Sequence, residues 1–456
     1  MTGNAIVGAV VRIDSCDPEL AARIKQELQW PNPEYAKREN SGRSTWGVPH
    51  DIVLWQKIGN YLVVPFGYMQ KLHSYGVALK ASQHVFKPSE RRFEAEVKGL
   101  YGYQEKAVES ALKAKNGVLV APCGSGKTQM GLAICARLGL RTLWLTHTHE
   151  LLQQSRERAK SVLGLDDSQL GTITGGKINV SDCITFATVQ TMSKIDLSQF
   201  AEYWDVIITD ECQHACGTPT QLTMFWKVLS GLSARYKIGL TATPKRADGM
   251  EKAMFALLGE KFYEVSREDV QHTTCPLFVP EPIPTGWEPD FEKCLNPDGT
   301  LNYTSLITEC VLDKGRNQVL SQLINEVGDW GATLVLSERV AHLESLAYRC
   351  KHTFGILSTT KKSERQKVIQ MLKDGEIKVL FATYAIAKEG LDIPCLEHLV
   401  MASPIKDETA VTQSAGRVMR AYPNKKAGTL WELEDNMAML KKWLKKRQGI
   451  YRRLNL

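Results

Sequence analysis

Along the first ninety residues, apolar and polar positions alternate in short stretches broken by turn-forming clusters: Trp30-Pro31-Asn32-Pro33, Asn40-Ser41-Gly42 and Gly59-Asn60. The spacing of Leu20, Ile24 and Leu28 predicts one amphipathic helix, with Asp17 as its cap and Pro18 at its first position. Strands are predicted at Ile6 to Ile13, Asp51 to Gln56 and Tyr61 to Pro65. Residues 1–92 thus read as a small α+β module, with the charged stretch Pro88 to Lys98 as a linker.

From Tyr101 the pattern changes. Continuous apolar runs, each short enough for a buried strand, alternate with helical segments: Gly117 to Ala121, Thr142 to Thr146, Ile184 to Ala187, Val206 to Thr209 and Ile238 to Thr241. Strands that are apolar on both faces and separated by helices predict a parallel sheet covered on both sides. A proline-rich stretch follows, with Pro276, Pro280, Pro282, Pro284, Pro289 and Pro297. The same rhythm then resumes at Thr333 to Ser337 and Lys378 to Ala382. Two α/β domains in tandem are predicted, over residues 93–265 and 266–435, with a tail over 436–456.

Composition changes this picture little. With 456 residues, about three domains are expected. Hydrophobic residues at 43% and charged residues at 23% exclude a disordered or fibrous chain. No apolar run approaches the ~18 residues of a membrane span, and Ala5 to Val11 reads as a strand rather than a leader, so a cytoplasmic protein is expected. The eleven cysteines include no C-x-x-C pair, which favours reduced core thiols; Cys212, His214 and Cys216 lack the further ligands a zinc site needs.

Charge is more informative for its location. The net charge is +7, and residues 441–456 hold seven basic side chains and no acidic one. Met437, Leu440, Trp443 and Leu444 fall at helical spacing among those lysines. Two readings stand: a helix docking its apolar stripe, or a contact to nucleic-acid phosphates through Lys445 and Lys446, with Trp443 or Tyr451 stacking on a base.

The chemistry concentrates in two segments. Ala121-Pro122-Cys123-Gly124-Ser125-Gly126-Lys127-Thr128 follows a buried strand and opens a helical pattern at Gln129. In that context glycines turn backbone N–H groups inward around phosphates, Lys127 adds a point charge and Thr128 offers a hydroxyl to Mg²⁺. Ala121 stands where the strict pattern has glycine. Further on, Val206-Ile207-Ile208-Thr209 ends in Asp210-Glu211-Cys212-Gln213. A carboxylate at the end of a buried strand needs a cation, so Asp210 is assigned to Mg²⁺ and Glu211 to the attacking water.

These segments, in this order, resemble the superfamily 2 helicases and translocases over residues 100 to 435. The Asp210–Gln213 and Gly239–Gly249 segments look most like the XPB branch and the phage-encoded UvsW-type remodellers of branched DNA. The resemblance implies two tandem RecA-like domains, ATP and Mg²⁺ as cofactors, and several roles. Gln104 would read adenine; Thr241 and Thr243 would couple hydrolysis to movement; Gln213 and Gln413 would belong to the catalytic set. Thr383 would contact the strand, and Asp392 would be a ribose or coupling contact. Gln413-Ser414-Ala415-Gly416-Arg417-Val418-Met419-Arg420 matches Q-x-x-G-R-x-x-R, with both arginines expected on one helical face as arginine fingers. Strand contacts are implied at Thr146, at Thr174 and Gly175, and at Thr188; His147 and His149 stand where relatives often have Pro or Arg. For residues 1–92 the implied role is duplex or branch recognition, and a structural cap is the equal alternative.

The resulting expectation is an ATP-dependent, phage-encoded, branch-migrating DNA helicase for forked and Holliday-type junction DNA, monomeric, with replication or recombination proteins as partners and no membrane. An RNA helicase, the motor subunit of a restriction-type complex and a nucleic-acid-binding regulator with a dead site are the rivals.

Overall fold

In the computed structural model, which describes residues 4–14, 16–82, 90–122, 124–216, 219–242, 244, 249–270, 274–361, 364–388 and 393–455, the apolar runs between Tyr101 and Thr241 become strands of one eight-stranded sheet. Its strand order is Lys177–Asn179, Leu170–Thr174, Ile184–Thr188, Thr142–Thr146, Val206–Asp210, Tyr236–Thr241, Asn116–Val120 and Lys261–Glu264. Every neighbouring pair is parallel except the hairpin at Lys177–Asn179. The five central strands are buried along their whole length, as strands covered on both faces must be. Parallel pairing places the carboxyl ends of Asn116–Val120 and Val206–Asp210 on one edge, where a ligand site is expected.

The amino-terminal module has its own five-stranded sheet, ordered Gln56–Ile58, Tyr61–Pro65, Val10–Asp14, Asn4–Val7 and Ala78–Ala81. The helix Pro18–Glu27 opens as expected: Asp17 accepts from the Glu19 N–H at 2.8 Å, and Leu20 and Ile24 are buried. Two strands differ from expectation. Ile6 to Ile13 is a hairpin, turned at Gly8-Ala9 so that both arms present apolar residues to one face. Asp51 to Gln56 divides, and Asp51–Val53 pairs instead with Gln29–Pro31.

This module shares one compact unit, Met1–Ser266, with the eight-stranded sheet. Lys237, fully buried in the Tyr236–Thr241 strand, donates to the carbonyls of Ala9 at 3.0 Å and Leu229 at 2.7 Å, and lies 4.4 Å from the Phe66 ring centre. Burial pushes its ammonium down to about 7. Gly67 sits so close to the helix Glu251–Leu258 that a Cβ would lie 2.2 Å from the Gly259 nitrogen and 2.6 Å from the Phe255 carbonyl. Both are backbone atoms that cannot swing away. Gly67→Ala is therefore expected to destabilise this unit by about 3 kcal/mol, read as a lower midpoint of denaturant unfolding; an unchanged midpoint would mean that the two backbones separate freely.

The second unit, Arg267–Leu456, holds a six-stranded parallel sheet ordered Leu277–Phe278, Gly428–Trp431, His398–Met401, Thr333–Ser337, Val379–Thr383 and Phe354–Ile356. The tail is the helix Ala438–Asn455, docked by Leu440, Leu444 and Ile450. Arg447 grips buried Glu432 with two hydrogen bonds of 2.7 and 2.8 Å, and the Tyr451 hydroxyl donates to the same carboxylate at 2.5 Å. Tyr451 is thus core, not a stacking platform: its ring is 2% exposed. Trp443 is half-buried against Tyr303, with Lys406 over both rings. Lys445 is exposed, and Lys446 is exposed but paired with Glu408 at 2.7 Å. Among the described residues no helix is long and apolar enough to cross a membrane.

Candidate active site

The loop after Asn116–Val120 is built for close approach. Gly124 and Gly126 have φ of +86° and +79°, a region open to glycine and strained for other residues, and Gly126 caps the helix Lys127–Leu138. Pro122 and Gln129 flank it, half-buried, and Gln129 accepts from Arg158 at 3.2 Å. Cys123 lies outside the described residues. The Ser125 hydroxyl is buried with no hydrogen-bond partner among the described residues, an orphan that an anionic ligand in the cradle would satisfy.

The loop is braced from behind by the helix Gly102–Ala114. Gln104 donates to the Ser125 carbonyl at 2.9 Å, Tyr103 donates to the same carbonyl at 3.0 Å, and the Gln104 oxygen accepts from the Tyr101 N–H at 3.0 Å. Both ends of the Gln104 amide are engaged and the residue is 3% exposed. In this geometry Gln104 is a brace of the loop rather than an open reader of adenine. The exposed ring here is Tyr101, stacked on Tyr103 at 5.8 Å.

Across the edge, the Lys127 ammonium lies 3.9 Å from Glu211 and donates to the Ala121 carbonyl at 3.4 Å. Asp210 is 4% exposed, and it accepts from the Glu211 N–H at 3.0 Å and the Ser155 hydroxyl at 3.4 Å. Burial, and after it the Glu211 charge, hold the Asp210 carboxyl well above the usual range. A desolvated carboxylate beside a second carboxylate fits a hard cation, and Thr128, in the first turn of the facing helix, adds a hydroxyl of the right kind.

Glu211 has φ of +48°, rare for a non-glycine residue. Burial raises its carboxyl, but Lys127, the Gln213 amide and the His214 and His147 imidazoles outweigh that and hold it below the usual range. Gln213 donates to Glu211 at 2.8 Å and accepts from the Thr241 hydroxyl at 2.6 Å, so Thr241 reaches the Glu211 carboxylate through one side chain. Thr243 and Asp392 lie outside the described residues. Sequence reasoning missed Ser155 and the stacking of His147 on His214; each joins segments distant in the chain and has no local pattern.

Of the implied strand contacts, Thr146 is fully buried with its hydroxyl on the Thr148 carbonyl at 3.0 Å, and Thr188 is 6% exposed, bonded to Thr191 at 2.9 Å. Their side chains shape the loops from inside and do not offer a hydroxyl to a ligand. Thr174 is half-buried beside His149 at 3.3 Å, and Gly175 is exposed with open space around it.

In the second unit, Thr383 ends a strand half-buried and its hydroxyl accepts from the Ile386 N–H at 3.5 Å. Gln413 is 8% and Arg417 9% exposed on the helix Glu408–Val418, and Arg417 donates to the Ala387 carbonyl at 3.0 Å. The helix is capped at Met419, so Arg420 does not share its face; its backbone bridges Thr274. The expected common helical face is corrected accordingly.

Two family models match: the res subunit of type III restriction enzymes over residues 98–246, and the helicase conserved C-terminal domain over residues 315–422. The chain belongs to the superfamily 2 helicases. This helicase is 26% identical over 428 residues to a putative ATP-dependent RNA helicase, L396, of Acanthamoeba polyphaga mimivirus, covering 91% of this chain and 78% of that one. With the DNA 3'-5' helicase XPB of Kineococcus radiotolerans it shares 27% identity over 329 residues, 70% of this chain and 56% of the relative. A probable helicase of Escherichia phage T5 matches at 27% over 308 residues, 66% of this chain and 64% of its own. The chain therefore spans less than two thirds of the length of these last two. Dbp5 of S. cerevisiae, solved with RNA and ADP BeF3, aligns at 17% identity over 77% of this chain and 87% of its own, with a TM-score of 0.55; the helicase has the same two RecA-like domains.

Proposed function

We propose that the chain is an ATP- and Mg²⁺-dependent DNA motor that unwinds or branch-migrates forked and junction DNA in replication, recombination or repair. The observation that carries this reading is the relay from Thr241 through Gln213 to Glu211, opposite Lys127. A hydrolytic site alone has no need of it; a motor needs the γ-phosphate to be felt by the strand that follows. When bound, Mg²⁺ would be held by Asp210 through water and by Thr128, and it would neutralise the charge growing on the phosphates. Lys127 and the N–H groups of residues 124–128 bind the triphosphate, and Glu211 orients and deprotonates water.

In this reading residues 1–92 recognise duplex or branch, 93–265 bind ATP, 266–435 supply Gln413, Arg417, Arg420 and Asp392, and 436–456 are the basic tail. Thr174, Gly175 and Thr383 lie along the strand, and Lys445 and Lys446 meet phosphates of the duplex. DNA is preferred over RNA on the Asp210–Gln213 sequence, which is neither DEAD nor DEAH, and on the XPB relative's DNA polarity, which would make movement 3′ to 5′. The mimivirus relative, called an RNA helicase, is the reason to test both.

The test is ATP-driven unwinding of forked, four-way and blunt substrates by the purified chain, with RNA counterparts in parallel. Branched DNA is expected to be unwound fastest. Preference for blunt duplex overturns the junction assignment, and stimulation of ATP hydrolysis by RNA but not DNA overturns the substrate. In the same assay Lys445→Glu with Lys446→Glu is expected to weaken DNA binding and flatten its salt dependence by about two phosphate contacts; an unchanged salt slope removes the tail from the DNA path.

A further inference from the structure

We infer that His147 and His214 form a stacked strap through which nucleic acid on the first RecA-like domain positions Glu211. The inference rests on the motor reading above and adds two positioning residues to it.

The rings lie 3.6 Å apart between centroids, tilted by 23°, which is van der Waals contact face to face. Each belongs to a different functional segment. His147 directly follows the Thr142–Thr146 strand, and its carbonyl accepts from Gln190 at 2.6 Å, two residues after Thr188. In the same segment His149 touches Thr174 at 3.3 Å. One backbone stretch is thus tied to both of the other loops that lie along the proposed strand path.

His214 belongs to the short turn Cys212–Cys216, and its N–H donates to the Glu211 carbonyl at 3.0 Å. The residue before it, Gln213, holds the Glu211 carboxylate. Both imidazoles are within electrostatic reach of that carboxylate. His214 is thus held by its ring contact to His147 and by its backbone hydrogen bond to Glu211, so displacement of residues 147–149 would press on His214 and on the turn that carries Gln213. Catalytic geometry is steep enough for this to matter, since a misplacement of about 1 Å costs roughly 10²-fold in rate.

Stacking, not hydrogen bonding, makes the link on the His147 side. Its Nδ1 is buried and without a hydrogen-bond partner among the described residues. A phenyl ring would therefore serve, and alanine would not.

The experiment measures ATP hydrolysis by the full chain with and without single-stranded DNA. His147→Ala is expected to lower the ratio of stimulated to basal kcat by about tenfold, with KM for ATP and the Kd for the same DNA unchanged. His147→Phe is expected to restore at least half of the ratio. His147→Ala combined with His214→Ala should lose no more than either alone, because one contact is removed in all three. Equal losses in basal and stimulated rate, or a phenylalanine variant as poor as the alanine one, overturn the strap while leaving the motor. A wild-type chain that no nucleic acid stimulates overturns both. Unfolding midpoints of the four variants within a degree or two of wild type are the control that they are folded; if His147→Ala is too unstable to assay, His147→Phe against His147→Leu gives the same contrast between a flat ring and a shape that does not stack.

Discussion

Lys127→Ala is expected to cut kcat/KM for ATP hydrolysis by about 10³-fold. The Lys127 side chain is 10% exposed and is the cation opposite Glu211, 3.9 Å away, at the edge where two adjacent carboxylates end a buried strand. Removing it takes away the charge that meets the triphosphate and also the cation that holds Glu211 ionised. Both effects act in one direction, since a buried and a half-buried carboxylate without a cation repel an anionic substrate. Glu211→Gln separates binding from chemistry: it keeps the side-chain size and is expected to lower kcat by about 10² to 10⁴-fold while ATP analogues still bind. Steady-state hydrolysis with a parallel binding titration distinguishes the two variants. Hydrolysis near the wild-type rate in Lys127→Ala would move the active site elsewhere, whereas a wild-type chain that hydrolyses no ATP would support the nucleic-acid-binding regulator.

Those two residues were legible in the sequence because their chemistry is local. A phosphate loop is a backbone conformation that only a strand, two glycines and a helix start can make, and all of that is contiguous. The parallel sheets were legible for a similar reason: strands buried on both faces leave continuous apolar runs, and five of the runs marked in the first α/β segment are strands of one sheet. What was illegible depends on distant partners. Nothing near Gly67 says that the Gly259 backbone lies against it, and nothing near His147 points to His214. The resemblance implies strand contacts at Thr146 and Thr188, yet a threonine at the end of a buried strand can turn its hydroxyl inward to its own loop, and here both do. In the tail, amphipathic spacing located the docking stripe, but the choice between a free and a buried Tyr451 was made by Glu432, in a strand-side segment with no sequence link to it.

The arginines carry the second large effect, and their unequal surroundings predict unequal variants. Arg420→Ala is expected to lower kcat by about 10³-fold, the scale of an arginine finger. Its backbone is fixed by the bridge to Thr274 and by Lys425, which donates to its carbonyl at 2.9 Å. Arg417 is different. It is 9% exposed and holds the Ala387 carbonyl, at the end of the helix Tyr384–Lys388. Losing a charged hydrogen bond of this kind costs about 1.5 to 3 kcal/mol, so Arg417→Ala should lower both kcat and the unfolding midpoint of the second domain. Arg417→Lys keeps the charge but not the fork that serves a carbonyl and a phosphate together, and it should recover stability more than rate. Thermal unfolding alongside single-turnover hydrolysis reads both quantities. Near-normal hydrolysis in Arg420→Ala would leave Arg417 alone as the finger. Near-normal hydrolysis in both variants would mean that no guanidinium of this segment meets the terminal phosphate, and that hydrolysis is completed within the first domain.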